Sequence, residues 1–338
     1  MKKIHLFSLI TLFALSFLGC KKDSYVAKFD QLPQERIGAQ IDLVKNALTG
    51  SPNGWIATLP TGLGGGYGFY MNFDKEGFVT MVADLTAAST ATVEKSQYRV
   101  KQDMGAALSF DTYSYISILN NPEPGSLGGN GNIRDGFKSD IDFVYDHSSA
   151  DSLVFKGKRY RQTFTLVKAT AEQKAKYLNA EYGTAIDKFK KFFTDNPNAY
   201  FETDNGLKVA VEPNGSNSLN AGKRVTFTSI LANDAIVSAT AKFAYTISKM
   251  DILDSGLVFD KNYYVRIAWK DATTMAVYDK NNKEYILKNN PTPLLPLYKM
   301  WGSKYNGMLS NFKTIYPGTS AKGADLLNFY HNNLDNAY

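Results

Sequence analysis

The chain has a single cysteine, Cys20, among 338 residues, so no disulfide can form within it and the fold must rest on packing. Histidine is almost as scarce. Of three, His5 lies in the leader, which leaves His147 and His331 for acid–base chemistry. His147 sits in the polar stretch Asp146-His147-Ser148-Ser149, read as an exposed turn, so a histidine-based triad has little to build on. There is no HExxH, paired CxxC or calcium-loop pattern, and no cofactor or metal is expected. A net charge of +6, with no basic cluster, gives no reason to expect a nucleic-acid partner. Beyond Leu18, no apolar run is long enough to cross a bilayer as a helix.

What is present begins with the leader. Lys2 and Lys3 precede an apolar run from Ile4 to Leu18, which ends at Gly19 and Cys20. The run is about fifteen residues against the roughly twenty of a transmembrane helix, and it stops at a small residue beside a thiol. This is the pattern of a lipoprotein signal. Cleavage before Cys20 would place acyl chains on its sulfur and its new amine, and two or more such chains anchor stably, at about 0.8 kcal/mol per buried methylene. The expected partner at this end is therefore a membrane, reached through the lipid. Residues 1–19 read as the signal peptide and 20–32 as a polar, flexible tether.

Tyrosine and phenylalanine number 21 each, a bias that favours strands. Residues 33–170 read as a helix followed by a β-domain. Pro33, the apolar spacing of Ile37, Ile41, Val44 and Leu48, and Gly50 bound the helix. Strands are expected at Trp55–Leu59, Phe69–Phe73, Phe78–Val82, Ser96–Val100, Ala107–Phe110, Ile141–Val144, Ser152–Phe155 and Thr163–Val167. The run from Gly62 to Gly68 leads into a strand rather than a helix, so it reads as a mobile hairpin connection and not a phosphate loop. The long loop Asn120–Lys138 reads as either functional or disordered.

Residues 171–198 read as a connecting helix, with Gly183 a candidate break and a face rich in lysine that is either solvated or set against an anionic membrane. Residues 199–290 read as a second β-domain, and 291–338 as an extension with a helix near Ser320–Leu334. Asp151–Phe155 echoes Asp254–Phe259, as a duplicated architecture would. The fold class is mainly β, α+β overall: two antiparallel sandwich or barrel-like regions with N-terminal, connecting and C-terminal helices.

Two sets of residues could carry function. Asp140 and Asp142, two apart at a strand start, form the weak catalytic candidate, since a hydrolase acting on a glycan or peptide needs carboxylates that share a face. Trp55, Tyr67, Tyr113, Tyr115, Trp269 and Trp301 are the ligand-binding candidates, because rings stack on sugar or peptide surfaces. The balance favours a non-enzymatic protein, with a structural or adhesive surface role as a further alternative.

These residues also resemble a known family. The Cys20 lipobox, Glu35-Arg36-Ile37, Asn53-Gly54-Trp55, Phe73-Asp74-Lys75-Glu76-Gly77, Leu108-Ser109-Phe110-Asp111-Thr112-Tyr113 and Phe155-Lys156-Gly157-Lys158 occur in order. The pattern, from Cys20 to about Leu287, is similar to Bacteroidetes outer-membrane lipoproteins of unknown function (domain of unknown function 4302). The resemblance implies an outer-membrane, cell-surface location and accessory work in nutrient uptake, beside a TonB-dependent transporter and a SusD-like lipoprotein. It assigns no catalytic residue.

Overall fold

The computed structural model describes residues 32–123, 127, 136–219, 221–300 and 319–335. Cys20, the leader, most of the tether and Trp301 lie outside these residues, as does much of the long loop after Asn120. The chain builds two antiparallel meanders, each preceded by helix.

Helix α1 spans Pro33–Thr49, with the Glu35 carboxylate accepting the Leu32 amide at 3.1 Å. It ends where the Gly50 amide donates to the Asn46 carbonyl. Eight strands follow: β1 (Trp55–Pro60), β2 (Gly66–Phe73), β3 (Phe78–Ala83), β4 (Glu94–Gln102), β5 (Ala106–Phe110), β6 (Asp142–Ser148), β7 (Ser152–Gly157) and β8 (Thr163–Lys168). Each pairs with the next and β8 returns to β1, which closes the barrel and leaves no free edge. A short helix, α2 (Tyr115–Ile118), interrupts the β5–β6 connection.

Helices α3 (Ala171–Leu178) and α4 (Glu181–Asp195) lead into the second meander. Thr170 and Gln173 cap α3 reciprocally, each side chain accepting the other's amide. The break falls at Ala180, whose φ is 60°, and not at Gly183, which lies inside α4. The strands are β9 (Ala199–Glu202), β10 (Lys208–Asn214), β11 (Arg224–Ile230), β12 (Ile236–Tyr245), β13 (Lys249–Ile252), β14 (Leu257–Phe259), β15 (Asn262–Trp269), β16 (Met275–Asp279), β17 (Glu284–Ile286) and β18 (Lys288–Asn289). They form one sheet in the order β17-β16-β15-β13-β12-β11-β10-β9-β18, with β14 on β15. The sheet curls until β17 lies beside β9, and the Phe201 and Tyr285 rings, 5.6 Å apart, bridge that gap. Short helices α5 (Leu297–Met300) and α6 (Ala321–Asp335) follow.

The expectation of two barrel-like regions holds: the first is a closed barrel and the second a sheet curled nearly to closure. The sequence echo does not mark equivalent strands, however. Its first copy is β7, seventh of eight, whereas its second is a turn plus β14, which lies off the main path.

Alternation along each strand decides what fills the barrels. In the first, Phe110, Phe143, Phe155 and Phe164 point inward with centroids 4.6–6.3 Å apart, and Val44 and Leu48 of α1 join the same core. In the second, Phe201, Phe227, Tyr264 and Tyr285 make an equivalent cluster at 5.1–5.6 Å. An eight-stranded barrel is just wide enough for side chains to fill. In the eight-stranded first barrel these rings occupy that interior.

The barrels meet along a seam where β2 approaches β12. A Cβ at Gly66 would stand 2.6 Å from the Phe243 carbonyl oxygen, and one at Gly68 would collide with the Tyr245 carbonyl. Only glycine lets the two backbones come this close. The Gly62–Gly68 run is therefore a packed hinge of the seam and not a mobile connection. Its amides are bonded as well: Gly62 to the Lys138 carbonyl, Leu63 to the Phe137 carbonyl and Gly64 to the Leu219 carbonyl. Ile56, Tyr70 and Val82, on the outer wall of the first barrel, pack into the second barrel's core, with Tyr70 stacked on Tyr177 of α3 at 5.2 Å.

Candidate functional site

The aromatic candidates are not gathered in one cleft. Trp55 is 2% exposed and donates from Nε1 to the Leu48 carbonyl at 2.9 Å, locking α1 to β1. Tyr67 is fully buried at the seam. Tyr113 is exposed and takes a hydrogen bond from Asn121, while Tyr115 is half-buried and donates to the Thr92 carbonyl. Trp269 lies half-buried against Phe189 and Phe192, with the Lys188 ammonium 4.1 Å over its ring. Trp301 lies outside the described residues.

The two carboxylates are also separated in role. Asp140 is buried before β6 and accepts the Arg159 and Tyr160 amides, both at 2.8 Å, so it ties down the β7–β8 turn. Gly157 makes room for it, since a Cβ there would strike the carboxyl. Asp142 lies on β6 and binds the Ser109 hydroxyl, with Lys101 Nζ at 3.2 Å. Partial burial pushes its carboxyl up, but the Ser109 hydroxyl, Lys101 and the Lys158 charge outweigh that and hold it below the usual carboxylate range. Both carboxylates are thus engaged in holding the fold, Asp140 by backbone amides and Asp142 by Ser109 and Lys101. His147 is part of β6, at a register shift, with Nδ1 3.0 Å from its neighbour Asp146.

No group of three His, Cys, Asp or Glu side chains suited to a metal occurs among the described residues. No described helix is long and apolar enough to cross a membrane. Three of the five connecting-helix lysines are engaged locally: Lys176 with Glu172 at 2.7 Å, Lys191 with Asp195 at 2.9 Å, and Lys174 with the Pro52 carbonyl.

Sequence reading missed two features, both created by the meeting of the barrels. One is a buried ion pair. Asp84, at the end of β3, sits 2.9 Å from Lys223 Nζ, with side-chain exposures of 0% and 3%. The Asp84 carboxylate also accepts the Gly68 amide at 2.9 Å and the Tyr245 amide at 3.2 Å. Burial pushes the Asp84 carboxyl up and the Lys223 ammonium down, while their mutual attraction opposes both shifts. The ammonium lies 4.1 Å over the Tyr67 ring, and a cleft of about 340 Å³ opens above the pair.

The other feature is a groove of about 590 Å³ between the barrels. One wall is the outward face of β1, β8 and β7, where Thr58 stands opposite Thr165 and Thr165 opposite Val154, with Ile56 opposite Val167 one rung along. The other wall is β13 with the turn Leu253-Asp254-Ser255 and Val265. In outward positions these β-branched residues look like ordinary strand surface. Only the docking of a second barrel makes them the wall of a concavity.

A family model described as a domain of unknown function (DUF4302) matches residues 27–271, a span that enters both barrels. Among solved structures, one described as a lipocalin lipoprotein affecting virulence in Streptococcus pneumoniae aligns with 27% of this chain and 88% of its own. Its identity is 14% and the TM-score 0.18, too loose to bear on the fold. No curated protein matches the chain. With the family model covering more than half its length, the chain belongs to the DUF4302 family.

Proposed function

We propose that this protein is a lipid-anchored, non-enzymatic binding protein of the outer membrane, accessory to a nutrient-uptake system of the TonB-dependent transporter and SusD-like type. The ligand, a glycan or peptide, is held in the groove between the barrels. One observation carries this reading: both barrel interiors are filled by four-ring aromatic clusters, while the groove offers about 590 Å³ of recess, within the size range of ligand sites. The lipobox at Cys20 supports the anchored location, and anchoring raises the effective concentration of a weak binder beside its partners.

Glycan and peptide arrays probed with the wild type and with Thr165→Tyr, which fills the groove from its β8 wall, test the site. Signals lost in the variant support it, and signals indifferent to the substitution refute it. Cys20→Ser should release the protein from the membrane fraction of its host. Retention there would rule out the lipid anchor.

A further inference from the structure

We propose that the groove takes an extended peptide carrying a cationic group, a lysine or arginine side chain or a free amino terminus, and that Asp254 is the carboxylate that anchors it. The inference rests on the groove being the ligand site, and it specifies the ligand class.

Among the described residues, the groove lining contains no phenylalanine, tyrosine or tryptophan. A sugar ring is recognised largely through stacking of its apolar face on an aromatic ring, and this surface has none to offer. It offers a branched aliphatic wall instead, with Val167 exposed and only the edges of the largely buried Ile56 and Val154 showing, on rungs spaced as in any sheet at about 4.8 Å. Such a wall fits the side chains of an extended peptide. The peptide cannot join as a further strand, because β1 already pairs with β2 and β8, and β13 with β12 and β15. Its backbone must therefore bond to side chains. The Thr58 and Thr165 hydroxyls are half-buried at the centre of the wall, and no side-chain hydrogen bond occupies either among the described residues.

The lining carries three lysines and three aspartates, so the case for a cation rests on one carboxylate, Asp254, and not on net charge. Lys249 is paired with Asp251 at 2.8 Å and Asp146 with His147 at 3.0 Å. Lys156 donates to the Thr163 hydroxyl and Lys168 to the Ala150 carbonyl. Asp254 is exposed and has no ion pair or hydrogen bond from its carboxylate among the described residues. Lys242 acts on it only through space, its ammonium being bonded to the Thr61 carbonyl. The backbone that presents Asp254 is itself unusual. Asp254, Ser255 and Gly256 have φ of 54°, 74° and 93°, three left-handed residues in succession, two of them not glycine. Side-chain-bearing residues adopt this region at a cost, and such strain persists where the surroundings impose it, characteristically at binding sites.

The test uses fluorescence anisotropy with two labelled, N-acetylated hexapeptides of valine and threonine, identical except for lysine or norleucine at the fourth position, and with labelled maltohexaose. A charge-assisted hydrogen bond predicts that the lysine peptide binds about tenfold tighter than the norleucine peptide. Asp254→Asn should erase that difference, and Thr165→Tyr should weaken both. Equal affinities in the wild type, discrimination that survives Asp254→Asn, or no peptide binding up to millimolar concentration would overturn the inference. Maltohexaose binding that Thr165→Tyr abolishes, without peptide binding, would keep the groove as the ligand site and overturn only its ligand class. Binding of any probe that ignores Thr165→Tyr would remove the groove itself.

Discussion

Asp84→Asn is the most incisive perturbation of this fold, because one carboxylate holds three groups from both sides of the seam. It accepts the Gly68 amide from the first barrel, and the Tyr245 amide and Lys223 ammonium from the second. The amide that replaces it keeps one acceptor oxygen and leaves Lys223 as a buried charge without a counter-ion. Breaking a buried pair from one side costs about 3–5 kcal/mol, most of it the penalty of the stranded charge. Removing both charges should cost less than removing either. Asp84→Asn with Lys223→Met is therefore expected to recover much of the loss, giving a strongly non-additive cycle.

Urea denaturation followed by fluorine NMR of 5-fluorotryptophan-labelled protein suits this test, because Trp55 lies in the first barrel and Trp269 in the second. In the wild type both resonances should leave their native positions at the same urea concentration, since the seam couples the barrels. In Asp84→Asn the midpoint should fall by the amount above. A loss below about 1 kcal/mol, or a double variant as unstable as the sum of the singles, would refute the reasoning.

Two further outcomes follow from pH. Burial pushes the Tyr70 and Tyr98 phenols up to about 12, with Asp74 and Glu76 adding to the effect at Tyr98. Unfolded phenols ionise near 10, so the unfolded state loses protons first and stability should fall as pH rises from about 10 towards 12. Phenolate absorbance at 295 nm should then grow together with loss of near-ultraviolet circular dichroism; ionisation of these rings with the fold intact would contradict the packing. In the β15–β16 turn, the Thr273 and Thr274 amides donate to Asp271 at 2.9 and 2.8 Å and hold its carboxyl down at about 2. The turn's support should be complete above the ordinary carboxylate range and lost as pH falls towards 2, with the Thr273 and Thr274 amide shifts inflecting there and not near 4.

The barrels were legible because strand alternation is a local signal. Trp55-Ile56-Ala57 and Thr163-Phe164-Thr165 declare their faces by spacing alone, and Asp74–Gly77 reads as a turn by composition. Strand β13 carries no such signal, because it is four residues long and takes its place by pairing with β12 and β15. The sites were less legible for a single reason. Whether a ring packs or binds depends on what lies across from it, and Trp55 and Tyr67 have the same composition cue as an exposed platform. The glycine run was visible but its meaning was not, since what Gly66 and Gly68 accommodate lies about 175 residues away in sequence, on β12.

That long-range contact also links stability to binding. Leu253 is both a seam residue, in the space a Cβ at Gly66 would need, and the first residue of the groove turn that presents Asp254. Its amide is held by the Lys242 carbonyl and its own carbonyl receives the Gly256 amide, so it cannot move without carrying the left-handed turn with it. Gly66→Ala should therefore do two things at once. It should lower the denaturation midpoint, because the added methyl pushes against the Phe243 backbone, and it should speed exchange of the Gly256 amide and weaken ligand binding, although position 66 does not line the groove. An alanine that destabilised the fold yet left Gly256 exchange and groove affinity unchanged would show that the turn is held independently of the seam. The strain at Asp254 would then need another support.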